Sequence, residues 1–146
     1  IYVRPMTESI SVQYASRVSD DLEAFFADGF RADSVQKNGA AREAYVFFHQ
    51  GDDGRFAAAV DGYVLGRDVY IKRLMVAETY RGQGLGKALL DRVESFSAEK
   101  DCRVVWVDTL TYQALDFYTQ NGFREAGRIT EYCGPHDRVF YNKEIH

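Results

Sequence analysis

Arg81-Gly82-Gln83-Gly84-Leu85-Gly86-Lys87 is the stretch on which the fold turns. An apolar run ends just before it, at Val69 to Val76. After it, Leu85, Leu89, Val93 and Phe96 recur at helical spacing, which predicts an amphipathic helix ending near Lys100-Asp101. The segment is therefore a loop between a strand and a helix. Alternating glycines let the backbone turn sharply and let a ligand approach the main chain. The first N–H groups of a helix lack internal partners and carry partial positive charge. Such a loop is suited to holding phosphate, and Arg81 and Lys87 add charge. A P-loop would need Ser or Thr after the lysine, whereas Lys87 precedes Ala88. A dinucleotide loop needs its third glycine three positions after the second, and Gly82, Gly84 and Gly86 are spaced by two.

Working backwards, the strand before the loop has a flaw. Val69 and Ile71 are apolar at odd positions, Leu74 and Val76 at even ones. Strand side chains alternate with period two, so the apolar face changes parity at Lys72-Arg73. A β-bulge there accounts for the slip. So does a strand covered on both faces, with Lys72 and Arg73 near its edge. Earlier still, Ala44 to His49 and Phe56 to Leu65 read as strands, joined by the Gly51-Asp52-Asp53-Gly54 turn. Gly66-Arg67-Asp68 turns into the third strand. Ser9 to Tyr14 has weak strand alternation. Asp20 and Glu23 open a predicted helix whose Leu22, Phe25, Phe26 and Phe30 form one face, expected to be core. Asn38 and Gly39 break it.

Working forwards, Val104-Val105-Trp106-Val107 predicts a central strand covered on both sides, with Trp106 in the core. A helix between two strands makes a crossover, so those strands should be parallel. A helix over Thr111 to Gln120 stops at Asn121-Gly122. Phe123 to Tyr132 and Arg138 to Ile145 are the last strands, joined by Gly134-Pro135-His136-Asp137. The expectation is one α/β domain over residues 1–146, with a mixed sheet that is antiparallel first and parallel at one central pair.

Composition narrows the function. The chain has 146 residues, 46% hydrophobic and 27% charged, as in an ordinary globular protein. Its net charge is -4 and its 18 basic residues are scattered, so no nucleic-acid partner is expected. No apolar run reaches the length of a membrane span. The first residues lack the features of a signal peptide, and a start without Met is expected where N-terminal residues are absent or processed. Cys102 and Cys133 are too few for a disulfide framework. Cys102 reads as a buried thiol, and a cytoplasmic location is the expectation. The His and Cys residues show no metal-ligand spacing, so no metal is expected.

The glycine segment also resembles the acetyl-CoA signature of the Gcn5-related N-acetyltransferases: Arg or Gln, two residues, Gly, any residue, then Gly or Ala. The resemblance runs back through Ile71 to Val76, where that family has its bulged fourth strand. It runs forward through Thr111-Tyr112-Gln113-Ala114-Leu115-Asp116-Phe117-Tyr118 and Asn121-Gly122-Phe123. The ending from Gly134 to Phe140, with Lys143, is similar to small bacterial members. Residues 55–146 carry the match, and the first forty match only in element order.

The resemblance implies a fold whose central parallel pair splays at a bulge to admit acetyl-CoA. Leu74, Met75 and Val76 would lie along the pantetheine arm, with Val76 N–H polarising the thioester carbonyl. Arg81, Gly82, Gln83, Gly84, Leu85, Gly86 and Lys87 would hold the pyrophosphate, and Ala114 would also border the cofactor. Tyr118 matches the tyrosine beside the cofactor sulfur, placed to protonate the departing thiolate, although a plain core tyrosine fits too. Thr111 stands where many members carry a cofactor-contacting asparagine, and it could instead cap a helix. An ammonium of pKa near 10 must lose a proton before it attacks, so a base is needed. Asp108 and Glu78 are the carboxylate candidates, each readable also as a turn or loop acid; His49 and His136 are others. Thr109 and Gln113 are further cleft candidates.

The expected activity is acetyl transfer from acetyl-CoA to a primary amine of a small molecule, by direct attack in a ternary complex. A protein lysine or N-terminus as acceptor, or a non-catalytic acyl-CoA sensor, are the alternatives. A homodimer is expected by analogy alone.

Overall fold

The structure is a computed structural model, and it describes residues 10–38, 42–113 and 115–146. Helix α1 spans Asp20–Asn38. Ser19 Oγ accepts the Leu22 N–H at 3.2 Å, and three acids in the first turn suit the positive end of the helix. Strands β1 (Glu43–Gln50), β2 (Phe56–Leu65) and β3 (Asp68–Val76) form an antiparallel meander. A 3-10 turn, Glu78–Tyr80, leads to α2 (Leu85–Glu99). Then follow β4 (Val104–Leu110), α3 (Leu115–Gln120), β5 (Arg124–Cys133) and β6 (His136–Glu144). The sheet order is β1-β2-β3-β4-β6-β5, and β3 and β4 are the parallel pair.

One face of the sheet carries the core. Val60, Val69, Ile71, Val105, Val107 and Val139 lie beneath Leu89, Leu90 and Val93 of α2 and beside Tyr118 and Phe123. Ser97 is fully buried in α2, and its hydroxyl donates to the Val93 carbonyl at 2.7 Å. Cys102 is buried and Cys133 exposed, both as free thiols.

The bulge is real. Asp61 pairs with Arg73 and Gly62 with Ile71, so Lys72 is the extra residue. Gly62 is required opposite it: a Cβ there would stand 1.8 Å from the Tyr70 carbonyl oxygen and 2.8 Å from the Tyr45 hydroxyl. That hydroxyl donates to the same carbonyl at 2.9 Å.

Several expectations need correction. Residues 10–14 form no strand, and Val12 and Tyr14 are exposed; Ser9 lies outside the described residues. The aromatic stripe of α1 is not core: Phe25 is 71% and Phe30 66% exposed. Gly39 lies outside the described residues. β4 is not covered on both sides, since Val105, Val107 and Thr109 are buried while Trp106 is half-buried. Trp106 stacks at 4.1 Å on Tyr70, which meets Tyr63 at 5.1 Å. Three rings thus cover that face only in part. The helix expected over Thr111 to Gln120 starts at Leu115. Residues 111–113 are a turn because Gln113 Oε1 accepts the Leu110 N–H at 3.0 Å and the Thr109 hydroxyl at 2.6 Å. β6 also begins two residues early, at His136, leaving Gly134-Pro135 as the turn. Among the described residues no helix is long and apolar enough to cross a membrane.

Candidate active site

The site begins with the glycine loop. Gly82 (φ 76°) and Gly84 (φ 81°) adopt the left-handed conformation, which any other residue would resist. Gly84 also stands at the start of α2 and offers no side chain to cap it. The first amide engaged within the helix is Ala88 N–H, on the Gly84 carbonyl at 3.0 Å. The N–H groups of Leu85, Gly86 and Lys87 are therefore left for a ligand. Gly86 has a different reason: a Cβ there would stand 3.0 Å from the Phe117 ring. It lets α2 start close against α3. Tyr80, Arg81, Gly84, Lys87 and Asn121 are among the residues lining a cavity of ≈ 470 Å³ around the loop. Lys87 is folded back along its helix onto Asp91 at 2.8 Å. Gln83 is exposed on the loop.

A second cavity, ≈ 730 Å³, opens between the parallel strands. The β3–β4 ladder ends at Ile71 and Val107. β3 runs on to Val76 and β4 to Leu110, so the cleft begins at the bulge. Beyond that point Ala77 N–H is donated to Ala57 O on β2 at 2.8 Å. Successive residues of an extended chain present their amides to opposite sides. Leu74 and Val76 therefore turn theirs toward the cleft, and Met75 toward β2. The Val76 carbonyl agrees, since it accepts Arg81 Nε at 3.2 Å. Met75 is 64% exposed at the rim. Val76, Arg81, Gly86 and Phe117 line both cavities, so loop and cleft form one trough.

Tyr118 closes the cleft from α3. It is 8% exposed, and its ring lies parallel to Tyr141 at 5.9 Å and edge-on to Phe123 at 5.6 Å. Burial, and secondarily the charge of Asp108, push its pKa up to about 12. The phenol thus keeps its proton at neutral pH and can donate it.

Asp108 also lines the cleft. It is neither a cap nor a turn residue. Its Oδ1 accepts the Tyr70 hydroxyl at 2.9 Å, and its Oδ2 accepts Arg138 Nε at 2.8 Å. Glu78 is exposed in the 3-10 turn and is not among the cleft-lining residues. His49 is exposed on the edge strand β1. His136 packs edge-on to Tyr112 at 4.9 Å. Thr111 does not cap α3. Its hydroxyl accepts the Asp137 N–H and its own N–H donates to the Asp137 carbonyl, each at 3.0 Å. Ala114 lies outside the described residues. Among the described residues no three His, Cys, Asp or Glu side chains converge as a metal site would require.

Sequence reasoning missed Arg138 and Tyr70, the two partners of Asp108. No local pattern joins residues 30 and 38 positions apart; only the β4–β6 and β3–β4 registers do.

Comparison with known proteins agrees with this geometry. The model of the Acetyltransferase (GNAT) family matches residues 11–123. Blasticidin-S acetyltransferase of Streptomyces morookaense is 33% identical over 91 residues, 62% of this chain and 67% of that protein. A crystal structure of an assigned acetyltransferase from Agrobacterium tumefaciens superposes with a TM-score of 0.84, covering 92% of this chain and 99% of that one at 20% identity. A Bacillus anthracis structure, assigned as a streptothricin acetyltransferase and solved in complex with acetyl coenzyme A, gives 0.63 at 15% identity, over 70% of this chain and 63% of that one. Both structural likenesses speak to the fold. With the family match over most of its length, this chain belongs to the GNAT acetyltransferases.

Proposed function

We propose that the chain transfers an acetyl group from acetyl-CoA to a primary amine of a small molecule. The observation that carries this reading is the single trough joining the glycine loop to Tyr118. Its residues fit that donor. The uncapped N–H groups of α2 and Arg81 suit a pyrophosphate. The cleft-facing amides of Leu74 and Val76 suit a pantetheine arm. Acetyl-CoA supplies an acetyl group already activated as a thioester.

The chain's own groups do the rest. Val76 N–H is an amide donor in a sheltered cleft, the type whose removal costs about 3 kcal/mol of barrier. Tyr118 holds a proton ready for the departing sulfur. Of the two carboxylate candidates, Asp108 lines the cleft, and its Oδ1, which accepts only the Tyr70 hydroxyl, keeps a lone pair to take the proton that the amine must lose before it attacks. The Streptomyces relative, named for blasticidin-S, supports a small-molecule acceptor over a protein.

Calorimetric titration with acetyl-CoA, with ATP and NAD as controls, tests the reading. Saturable binding of acetyl-CoA alone is expected. A folded sample that ignores acetyl-CoA would overturn the assignment of the loop.

A further inference from the structure

The trough has a charged end that the proposed acetyl donor does not use. Lys72 and Arg73 line the cleft at the bulge. They lie four and three residues before Val76, which is about 10 Å or more along an extended strand. The loop cations, Arg81 and Lys87, are at the opposite end.

Arg73 faces Asp61 across the ladder and bonds it through Nε at 3.0 Å and through Nη2. Its side chain nevertheless stays 74% exposed. Among the described residues nothing bonds its Nη1. Lys72 is exposed as well, and no described carboxylate pairs with it. On the other lip, Arg138 holds Asp108. Register places both pairs on one face: Asp61 shares it with Tyr63, Tyr63 pairs with Tyr70, and Tyr70 with Trp106, two residues from Asp108. Each carboxylate here is thus matched by a guanidinium, and Lys72 is left over. The cleft mouth carries positive charge in a chain whose net charge is -4.

A purely cationic amine gains nothing from that charge and is repelled by it. A planar guanidinium with an unused edge suits a carboxylate. We infer that the acceptor carries a carboxylate besides its amine, as an amino acid does, and that Arg73, supported by Lys72, reads that carboxylate. This rests on the acetyl-transfer reading above and names the substrate class for it.

The test uses matched amines that differ in one carboxylate: lysine with cadaverine, ornithine with putrescine, β-alanine with ethylamine. Acetyl-CoA binding is measured first, then kcat and KM for each amine. The carboxylate member should be preferred about tenfold or more in kcat/KM, through KM. Arg73→Gln should bring each pair to near equality, by raising KM for the carboxylate member and easing the repulsion of the purely cationic one, with acetyl-CoA affinity unchanged. Arg73→Lys, which keeps a charge for Asp61, should retain part of the preference and controls for folding. Equal use of both members, or a preference that survives Arg73→Gln, overturns the inference. So does a chain that binds acetyl-CoA and acetylates no carboxylate-bearing amine of the panel. A chain that binds no acetyl-CoA fails earlier, at the proposed function itself.

Discussion

At the scale of the residue, Tyr118 is defined by its packing. Its ring is fixed by Phe117, Phe123 and Tyr141, and burial pushes the pKa of its hydroxyl up to about 12. Tyr118→Phe preserves the ring contacts and removes the proton. Turnover should fall about 100-fold, within the usual range for a general acid, with acetyl-CoA affinity unchanged by titration. Undiminished turnover would remove Tyr118 from the chemistry. Its position was legible because Ala-Leu-Asp-Phe-Tyr and Asn-Gly-Phe follow the glycine loop in order. The partners of Asp108 were not legible. Arg138 reaches it only because β6 pairs with β4 in one register, and nothing near either residue announces the pairing.

At the scale of the element, the third strand of the meander is decisive. Its parity slip was visible at Lys72-Arg73, yet sequence could not separate a bulge from a strand covered on both faces. The answer lay on the partner strand, in Gly62. Gly62→Ala would force a methyl group into the Tyr70 carbonyl. We expect a loss of about 3 kcal/mol in denaturant unfolding, the upper end for overpacking. Tyr45→Phe, which removes only the hydrogen bond to that carbonyl, should cost about 1 kcal/mol. Comparable losses for the two would mean that the close approach at Gly62 relaxes freely. Elements with strong period and clean turns, such as β2 and α2, were readable almost to the residue. The segment 111–113 was not, because Gln113 spends its side chain on the backbone of Leu110 and holds a turn where composition favours helix. The stripe on α1 misled for another reason: periodicity shows which face is apolar, never what it meets.

At the scale of the whole molecule, the buried phenols set a limit on pH. Tyr118 and Tyr70 are each pushed up to about 12, and Tyr45 higher, with burial the leading cause throughout. An unfolded tyrosine ionises near 10. Between those values the unfolded chain releases protons that the folded chain retains, so stability falls as pH rises. Their contribution is complete below about pH 10 and lost through about pH 12. The melting temperature should therefore drop steeply across that interval, in step with the appearance of tyrosinate absorbance. A melting temperature that held steady through it would show these phenols to be freely ionisable in the fold.

The extra residue at the bulge has one more consequence, and it is genetic. Without Lys72, the residues Val69, Ile71, Leu74 and Val76 would fall into unbroken alternation. Loss of a single codon would turn an interrupted strand into a regular one. The hydrophobic pattern would favour the shorter sequence, and the gap between β3 and β4 would have no reason to open. A chain of the same strand order with a closed cleft therefore stands one in-frame deletion away.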